Sequence, residues 1–505
     1  MAAREELVVG ARPLTIEQVV EVARGERPLA LSREPSFVAR LSRGAEVIEQ
    51  RLLAGVPTYG VNTGFGASVK NAVPMAQART LAMNLPRYHG CGIGPLLTVE
   101  ESRAVTLVRI SSLALGYSGV RPVLLENLVR LLSAGVAPAI PSRGSVGASG
   151  DLTPLSYVAA LLVGERKALL NGELVEARDA LRHAGLEPLE LWPKESLAIM
   201  NGTSIMAGLT CLAFVRAERV ARVASLLTAV ALEAMGSQHT HFDARLFQAK
   251  PHPGQALCAA WIREALAVED VPAARAGRIQ ERYSIRCAPH VIGCLLDALA
   301  LCRSVLEIEI NGASDNPLID PASGDVLHGG NFYGGHVAMV ADTLKTQLAN
   351  VADLLDRQLV LLNDPVQNGG LPENLNAVSG DERYAHHGFK AMEISASALT
   401  AEALKLTMPA SVFSRSTEGH NQDKVSMGSI AALDFQRIAE LTECVAAIHL
   451  IAATQAVELR GPERVSAPVR ALYERVRAHI PPTLRDRPMD GDIETARALL
   501  CSGEW

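Results

Sequence analysis

Aromatic side chains are scarce in this chain, only 4% of 505 residues, while 48% of the residues are hydrophobic. With Ala and Leu dominating, that balance disfavours a β-sandwich and points to packed helices. Paired cysteines are missing as well. The eight Cys show no CxxC spacing, and Cys211, Cys258, Cys294, Cys302 and Cys444 sit inside apolar runs, which suits buried thiols better than zinc ligands or disulfides. No run of Lys and Arg resembles a nucleic-acid tract, and the net charge of −6 names no partner. MAAREELVVGARPLT lacks a basic start followed by an apolar segment, and Arg216, Arg219 and Glu233 interrupt the apolar runs, so neither secretion nor membrane insertion is indicated. A reducing cytoplasm is the expected setting.

The length allows two or three domains, or one large core with an appendage. The stretch to about Lys70 ends in a turn-rich segment, TYGVNTGFG (Thr58 to Gly66). Ala104, Leu107, Val108, Ser111 and Leu115 recur at helical spacing, and Gly116-Tyr117-Ser118-Gly119 supplies a stop. After a Pro- and Gly-rich passage from Ala137 to Gly150, long helices are predicted over Met206–Met235, Ala288–Glu307, Val337–Leu362 and Ile430–Glu458. Their apolar residues cover more than one face, as in buried bundle members. From Pro462 the tail reads as smaller helices.

Gly144-Ser145-Val146-Gly147-Ala148-Ser149-Gly150-Asp151 is the least ordinary passage. As a phosphate cradle it lacks the following Lys-Ser/Thr and would set Asp151 beside the anion. As a nucleophile elbow it fails on spacing, because Gly150 follows Ser149 directly where G-x-S-x-G requires an intervening residue. A plain Gly-rich loop remains.

The wider context, GSVGASGDLTPLSY, closely resembles the cofactor-forming segment of the histidine, phenylalanine and tyrosine ammonia-lyases and related aminomutases, and the resemblance runs from about Thr58 to Met427. It implies that Ala148-Ser149-Gly150 cyclises to 4-methylidene-imidazol-5-one, with no metal and no nucleotide. The Gly150 amide nitrogen attacks the Ala148 carbonyl, which a residue without a side chain permits. Loss of water from the ring and from Ser149 leaves the methylidene, so Ser149 matters as a leaving hydroxyl. The other elements follow in family order. Tyr59 matches the base that removes a β-proton, which requires a pKa near working pH. Asn201 in MNGTS matches the asparagine at the substrate carboxylate and cofactor region; read alone, it is a helix cap. Gln280, Tyr283 and Arg286 in IQERYSIRCAPH match a segment whose Arg pairs with the carboxylate, a task suited to a planar fork. Asn316 in SDNPL matches a polar contact near the prosthetic ring, and Phe332 in GGNFYGG an aromatic packed beside it.

Substrate choice rests on four residues. Histidine ammonia-lyases carry Glu where HNQDKVSMG has Gln422, so Gln422 argues against histidine, and Glu418 with GFKAMEI resembles the phenylalanine lyases and aminomutases. Tyr88 and His89 occupy the family's selectivity pair. A buried polar pair calls for a ring bearing a hydrogen-bonding group, so L-tyrosine is expected first and L-phenylalanine next, giving a trans-arylacrylate such as p-coumarate. The alternatives are a 2,3-aminomutase on the same substrate, a histidine ammonia-lyase giving urocanate, and a non-catalytic helical scaffold. A metallohydrolase using His239, His241 and Asp243 at H-x-H-x-D spacing is another. The implied fold is mainly α: an N-terminal mixed domain with the cofactor loop (1–200), a central long-helix bundle (201–460) and a short C-terminal helical region (461–505). The resemblance also implies a homotetramer whose active sites are shared between subunits, with an amino acid as partner and neither nucleic acid nor membrane.

Overall fold

A computed structural model describes residues 4–268 and 279–503. The protein is mainly α, with long helices and few strands. The long helices run Ser204–Met235, Ala288–Ile310, Gly335–Asn363 and Gly428–Arg460, so the apolar spacing located all four. Their buried hydroxyls are satisfied within the helix: Thr210, Ser225 and Thr228 donate to the carbonyls of Met206, Ala221 and Ala224 at 2.7, 2.9 and 2.8 Å. A polar group can therefore enter the core without stranding a donor. Smaller helices Ala467–Arg477 and Asp490–Ser502 occupy the tail.

Two compact units account for the chain. Unit 1 holds residues 1–215, 302–342 and 409–436; unit 2 holds 216–301, 343–408 and 437–505. Among the described residues every strand belongs to unit 1, in small sheets such as the antiparallel pair Ile93–Leu96 and Pro141–Arg143. That pair anchors the chain just before the Gly-rich passage. The helix Leu152–Leu162 starts directly after it, and Glu195–Met200 leads into Ser204–Met235.

Two expectations need correction. Arg216, Arg219 and Glu233 do not break the apolar run below spanning length: Glu195–Met235 and Gly428–Arg460 are long and apolar enough to cross a membrane. Yet 94% and 89% of their apolar windows are buried inside the protein, which accounts for the composition. Of the thiols expected to be buried, Cys211, Cys258 and Cys302 are buried, Cys444 is partly so, and Cys294 is exposed. Helical spacing explains Cys294, since Ile292, Leu295 and Leu299 take the buried face.

Candidate active site

A cavity of about 750 Å³ in unit 1 gathers much of what the motifs single out. Tyr59, Tyr88, His89, Ala148, Ser149, Asn201, Asn316, Phe332, Glu418 and Gln422 all line it. These residues come from segments scattered between Tyr59 and Gln422, so only the fold brings them together.

The tripeptide is tightly folded. Ala148 and Gly150 form an isolated backbone bridge, and Gly150 sits at φ +61°, in the left-handed region. A Cβ there would stand 2.2 Å from the Gly202 carbonyl oxygen, inside any tolerable contact. Only glycine fits, which is what a ring closure through the Gly150 nitrogen requires. Asp151 is fully buried behind the loop. It accepts hydrogen bonds from Ser145 Oγ (2.8 Å), from Ser429 Oγ and from the Met206 backbone N–H (3.2 Å). Met206 and Ser429 lie in the first turns of Ser204–Met235 and Gly428–Arg460, and Asp151 itself precedes Leu152–Leu162. Three helix N-termini, the positive ends of their dipoles, therefore meet at the loop.

Tyr59 Oη accepts the Gly66 N–H at 2.8 Å, and Glu418 accepts the Ala67 N–H with both oxygens, at 2.9 and 3.0 Å. Gly66, at φ +54°, is held against the Glu418 carboxylate, where a Cβ would lie 2.3 Å from Oε2. Loss of water by burial raises the Tyr59 pKa, the Gly66 bond opposes it, and the Glu418 charge adds to the rise. Within this chain alone, burial and the Glu418 charge thus act against the phenolate. Tyr88 is 57% exposed, so the selectivity pair is not the buried pair expected from the sequence; loss of water on the covered part of its ring, then Tyr59 and Glu418, raise its phenol pKa.

At His89, Nδ1 lies 3.0 Å from the Leu85 carbonyl, which can only accept, so Nδ1 carries the proton. Burial lowers the His89 pKa, with Arg166 adding to the effect against the Leu85 bond. The imidazole is neutral at pH 7, and Nε2 is left as an acceptor. Gln422 complements it: its Oε1 accepts Thr417 Oγ1 at 2.9 Å, leaving the amide N–H groups as donors. Leu81, Leu85, Leu152 and Leu197 form the apolar wall. Motif reading passed over Leu81 and Leu85, although their spacing with Tyr88 on the helix Ala78–Tyr88 marks one face.

Four expected residues are not among the cavity's lining: Gly150, whose neighbours Ala148 and Ser149 do line it, and Gln280, Tyr283 and Arg286. Gln280, Tyr283 and Arg286 belong to unit 2. Tyr283 is 72% exposed, and Arg286 stacks over its ring at 4.7 Å while donating to the Glu281 carbonyl at 3.1 Å. The metal alternative fails on side-chain engagement. His241 Nε2 accepts the Glu281 N–H at 3.1 Å, Asp243 is paired with Arg245 at 2.5 Å, and among the described residues no group of three or more His, Cys, Asp or Glu could hold an ion.

The sequence profile of the family described as aromatic amino acid lyase matches residues 14–478. The chain belongs to that family. A histidine ammonia-lyase of Anaeromyxobacter sp. (strain K) is 38% identical over 99% of both chains. A tyrosine ammonia-lyase of Cupriavidus metallidurans is 40% identical, covering 97% of this chain and 95% of the relative. Among solved structures, the tyrosine aminomutase from Streptomyces globisporus superposes with a TM-score of 0.92 at 35% identity, covering 99% of this chain and 97% of that one. The aromatic amino acid lyase is thus a carbon–nitrogen lyase acting on a small amino acid.

Proposed function

We propose that this lyase eliminates ammonia from an aromatic L-amino acid whose ring bears hydrogen-bonding atoms, with L-histidine, giving urocanate, ahead of L-tyrosine. The observation carrying this reading is the single cavity that sets Ala148, Ser149 and Tyr59 beside the acceptor His89 and the donor Gln422. Neutral imidazole offers one N–H and one lone-pair nitrogen, phenol offers both on one oxygen, and phenyl offers neither. L-Phenylalanine therefore falls behind. Relatives named histidine ammonia-lyase weigh toward histidine, reversing the preference drawn from the selectivity pair. L-Tyrosine is the second reading because Gln422 is neutral where the resemblance puts Glu in histidine lyases. Ammonia and arylacrylate release from histidine, tyrosine and phenylalanine, assayed separately, tests the order, and fastest turnover of phenylalanine would overturn it. A 2,3-aminomutase would instead accumulate β-amino acid, detectable by chiral analysis.

Ala148, Ser149 and Gly150 would form the methylidene-imidazolone, and the Gly150 geometry fits that closure. The group supplies an electrophilic carbon that makes the substrate's amino nitrogen a leaving group. Tyr59 takes the β-proton, Phe332 packs beside the ring, and Asn201 and Asn316 face the amino-acid end. The three helix starts around the loop favour developing negative charge there. Gln280, Tyr283 and Arg286, absent from the cavity wall, join it in a homotetramer, where Arg286 pairs with the carboxylate. Mixing inactive Tyr59→Phe and Arg286→Ala subunits should then restore activity, and a monomer in light scattering would remove the shared site. The domain reading (1–200, 201–460, 461–505) and a cytoplasmic location belong to the same proposal.

A further inference from the structure

The helix Ala78–Tyr88 brings Leu81, Leu85 and Tyr88 to the cavity and is capped by His89. The last carbonyls of a helix have no partners within it. Here the Leu85 carbonyl accepts the His89 N–H at 3.4 Å and its ring Nδ1 at 3.0 Å, and the Arg87 carbonyl accepts the Gly90 N–H at 3.1 Å. Arg166 takes the one between: its Nη2 donates to the Pro86 carbonyl and, at 3.4 Å, to that of Arg87. Nη1 of the same guanidinium donates to Ser156 Oγ at 3.1 Å, and that hydroxyl is shared between the Thr153 and His89 carbonyls at 2.7 and 3.3 Å. A cation is thus set at the helix C-terminus, where the dipole favours it. The guanidinium lies over the Tyr157 ring at 4.5 Å, and Arg166 itself stands at φ +64°, which is uncommon for a residue with a side chain. Gly90 makes room for it, since a Cβ there would stand 2.0 Å from Nη2. Glu165, next in the chain, pairs with Arg87 Nε and Nη2 at 3.0 and 2.6 Å. Both residues follow the helix Leu152–Leu162, whose start borders the tripeptide. One helix therefore has the tripeptide before its first turn and, past its last, a clamp on the chain at His89.

We propose that Arg166 is a specificity-determining positioning residue: by capping the Ala78–Tyr88 helix it holds the His89 imidazole on the Leu85 carbonyl and so fixes where Nε2 stands relative to Ala148-Ser149-Gly150. This rests on the reading of His89 as the acceptor for the substrate ring. After burial, the Arg166 charge also disfavours a protonated imidazole, so the residue that orients Nε2 helps to keep its lone pair. Gly90 and Arg166 act as one device. Gly90 lies outside the left-handed region, so alanine there meets only the movable end of Arg166 and displaces the guanidinium without removing it.

Crystal structures of the wild type, Arg166→Met and Gly90→Ala read the positioning without any substrate. The imidazole should leave the Leu85 carbonyl in both variants, and an unmoved His89 in both overturns the inference. For the functional half, kcat/KM is measured for histidine, tyrosine and phenylalanine. The preference of the wild type for its better polar-ring substrate over phenylalanine should fall about tenfold in either variant, the scale of one misplaced buried hydrogen bond. The double variant should fall no further, because both changes act on one contact, and in a His89→Phe background Arg166→Met should leave the ratio unmoved. Arg166→Lys, which keeps the charge and loses the fork, should fall between. The prosthetic-group absorbance should persist throughout. Equal losses for all three substrates, or an Arg166→Met shift in preference that survives His89→Phe, would make Arg166 a structural residue only and overturn the inference. If Arg166→Met does not fold, Gly90→Ala decides. If the wild type shows no preference over phenylalanine, the ring-end reading fails while the crystal structures still decide the clamp.

Discussion

Asp151→Asn separates two opposing effects on the carboxylate behind the cofactor-forming loop. Burial, opposed by bonds from Ser429, Ser145 and the Met206 N–H, pushes the Asp151 pKa up to about 6 from an ordinary 3.8. A raised folded-state pKa means that the fold favours the protonated form. The associated stability is complete below about pH 3.8 and is lost as pH rises through about 6. A shift of roughly two units at about 1.4 kcal/mol each makes the loss on the order of 3 kcal/mol. Asparagine can keep the local bonds, its Oδ1 accepting the Met206 N–H and its NH₂ donating to two serine hydroxyls that rotate to accept. The variant should therefore exceed the wild type in stability at about pH 7.5 by up to that amount, and the gap should close toward about pH 4. Three helix starts act the other way, each favouring an anion by about 0.3–1 kcal/mol. Urea midpoints of both proteins across this range read the balance. A gap that stays constant, or a wild type that gains on the variant as pH rises, would mean that the helix starts outweigh burial and that the carboxylate is ionised throughout.

Gly150→Ala should cost about 1–2 kcal/mol for the left-handed backbone and about 1–3 kcal/mol for overlap with Gly202. It should lower the urea midpoint and abolish the prosthetic-group absorbance, whereas Ser149→Ala should abolish the absorbance alone; equal midpoints for the two variants would sink the steric argument. Because the Tyr59 pKa lies above its ordinary value, the phenolate fraction grows with pH, and kcat/KM should climb from neutral into alkaline solution. Tyr59→Phe should keep the absorbance and lose that climb; a flat wild-type profile would argue against Tyr59 as the base. Gln422→Glu should raise the histidine-to-tyrosine ratio of kcat/KM about tenfold, the scale of one hydrogen bond to a charged group. An unchanged ratio would take Gln422 away from the ring end.

Periodicity and local motifs carried the sequence reading where the deciding interactions are local. Continuous apolar spacing located the four long helices, because apolar residues recurring at helical period are a local signal, even though Ala288–Ile310 leaves Leu301 and Ile308 exposed. The exposed Cys294 shows the limit: an apolar neighbourhood in sequence does not say which helical face a residue takes. Gly150 was legible for a chemical reason, since ring closure needs a bare backbone, and the close approach of Gly202 adds a steric one. Arg166 left no trace because it meets Pro86 across 80 positions, and neither has a motif spacing to betray it. The task of Gly90 was equally hidden, since it follows from the guanidinium that packs against it and not from the letter at position 90.

Gln280, Tyr283 and Arg286 pose the converse case. Their motif order was plain, yet a site that one chain gathers in unit 1 does not include them among its walls. Motif order transfers between relatives whichever copy supplies the side chain, whereas a cavity wall depends on which copies are present. Tyr59 carries the same consequence. Its pKa is raised by burial and by Glu418, and a guanidinium is a group whose arrival would reverse that direction, because a nearby cation favours the phenolate. If Arg286 reaches the cavity only on assembly, subunit dilution should remove activity and push the alkaline limb to higher pH together. Loss of activity with an unmoved limb would separate Arg286 from the tuning of Tyr59 and leave it the carboxylate alone.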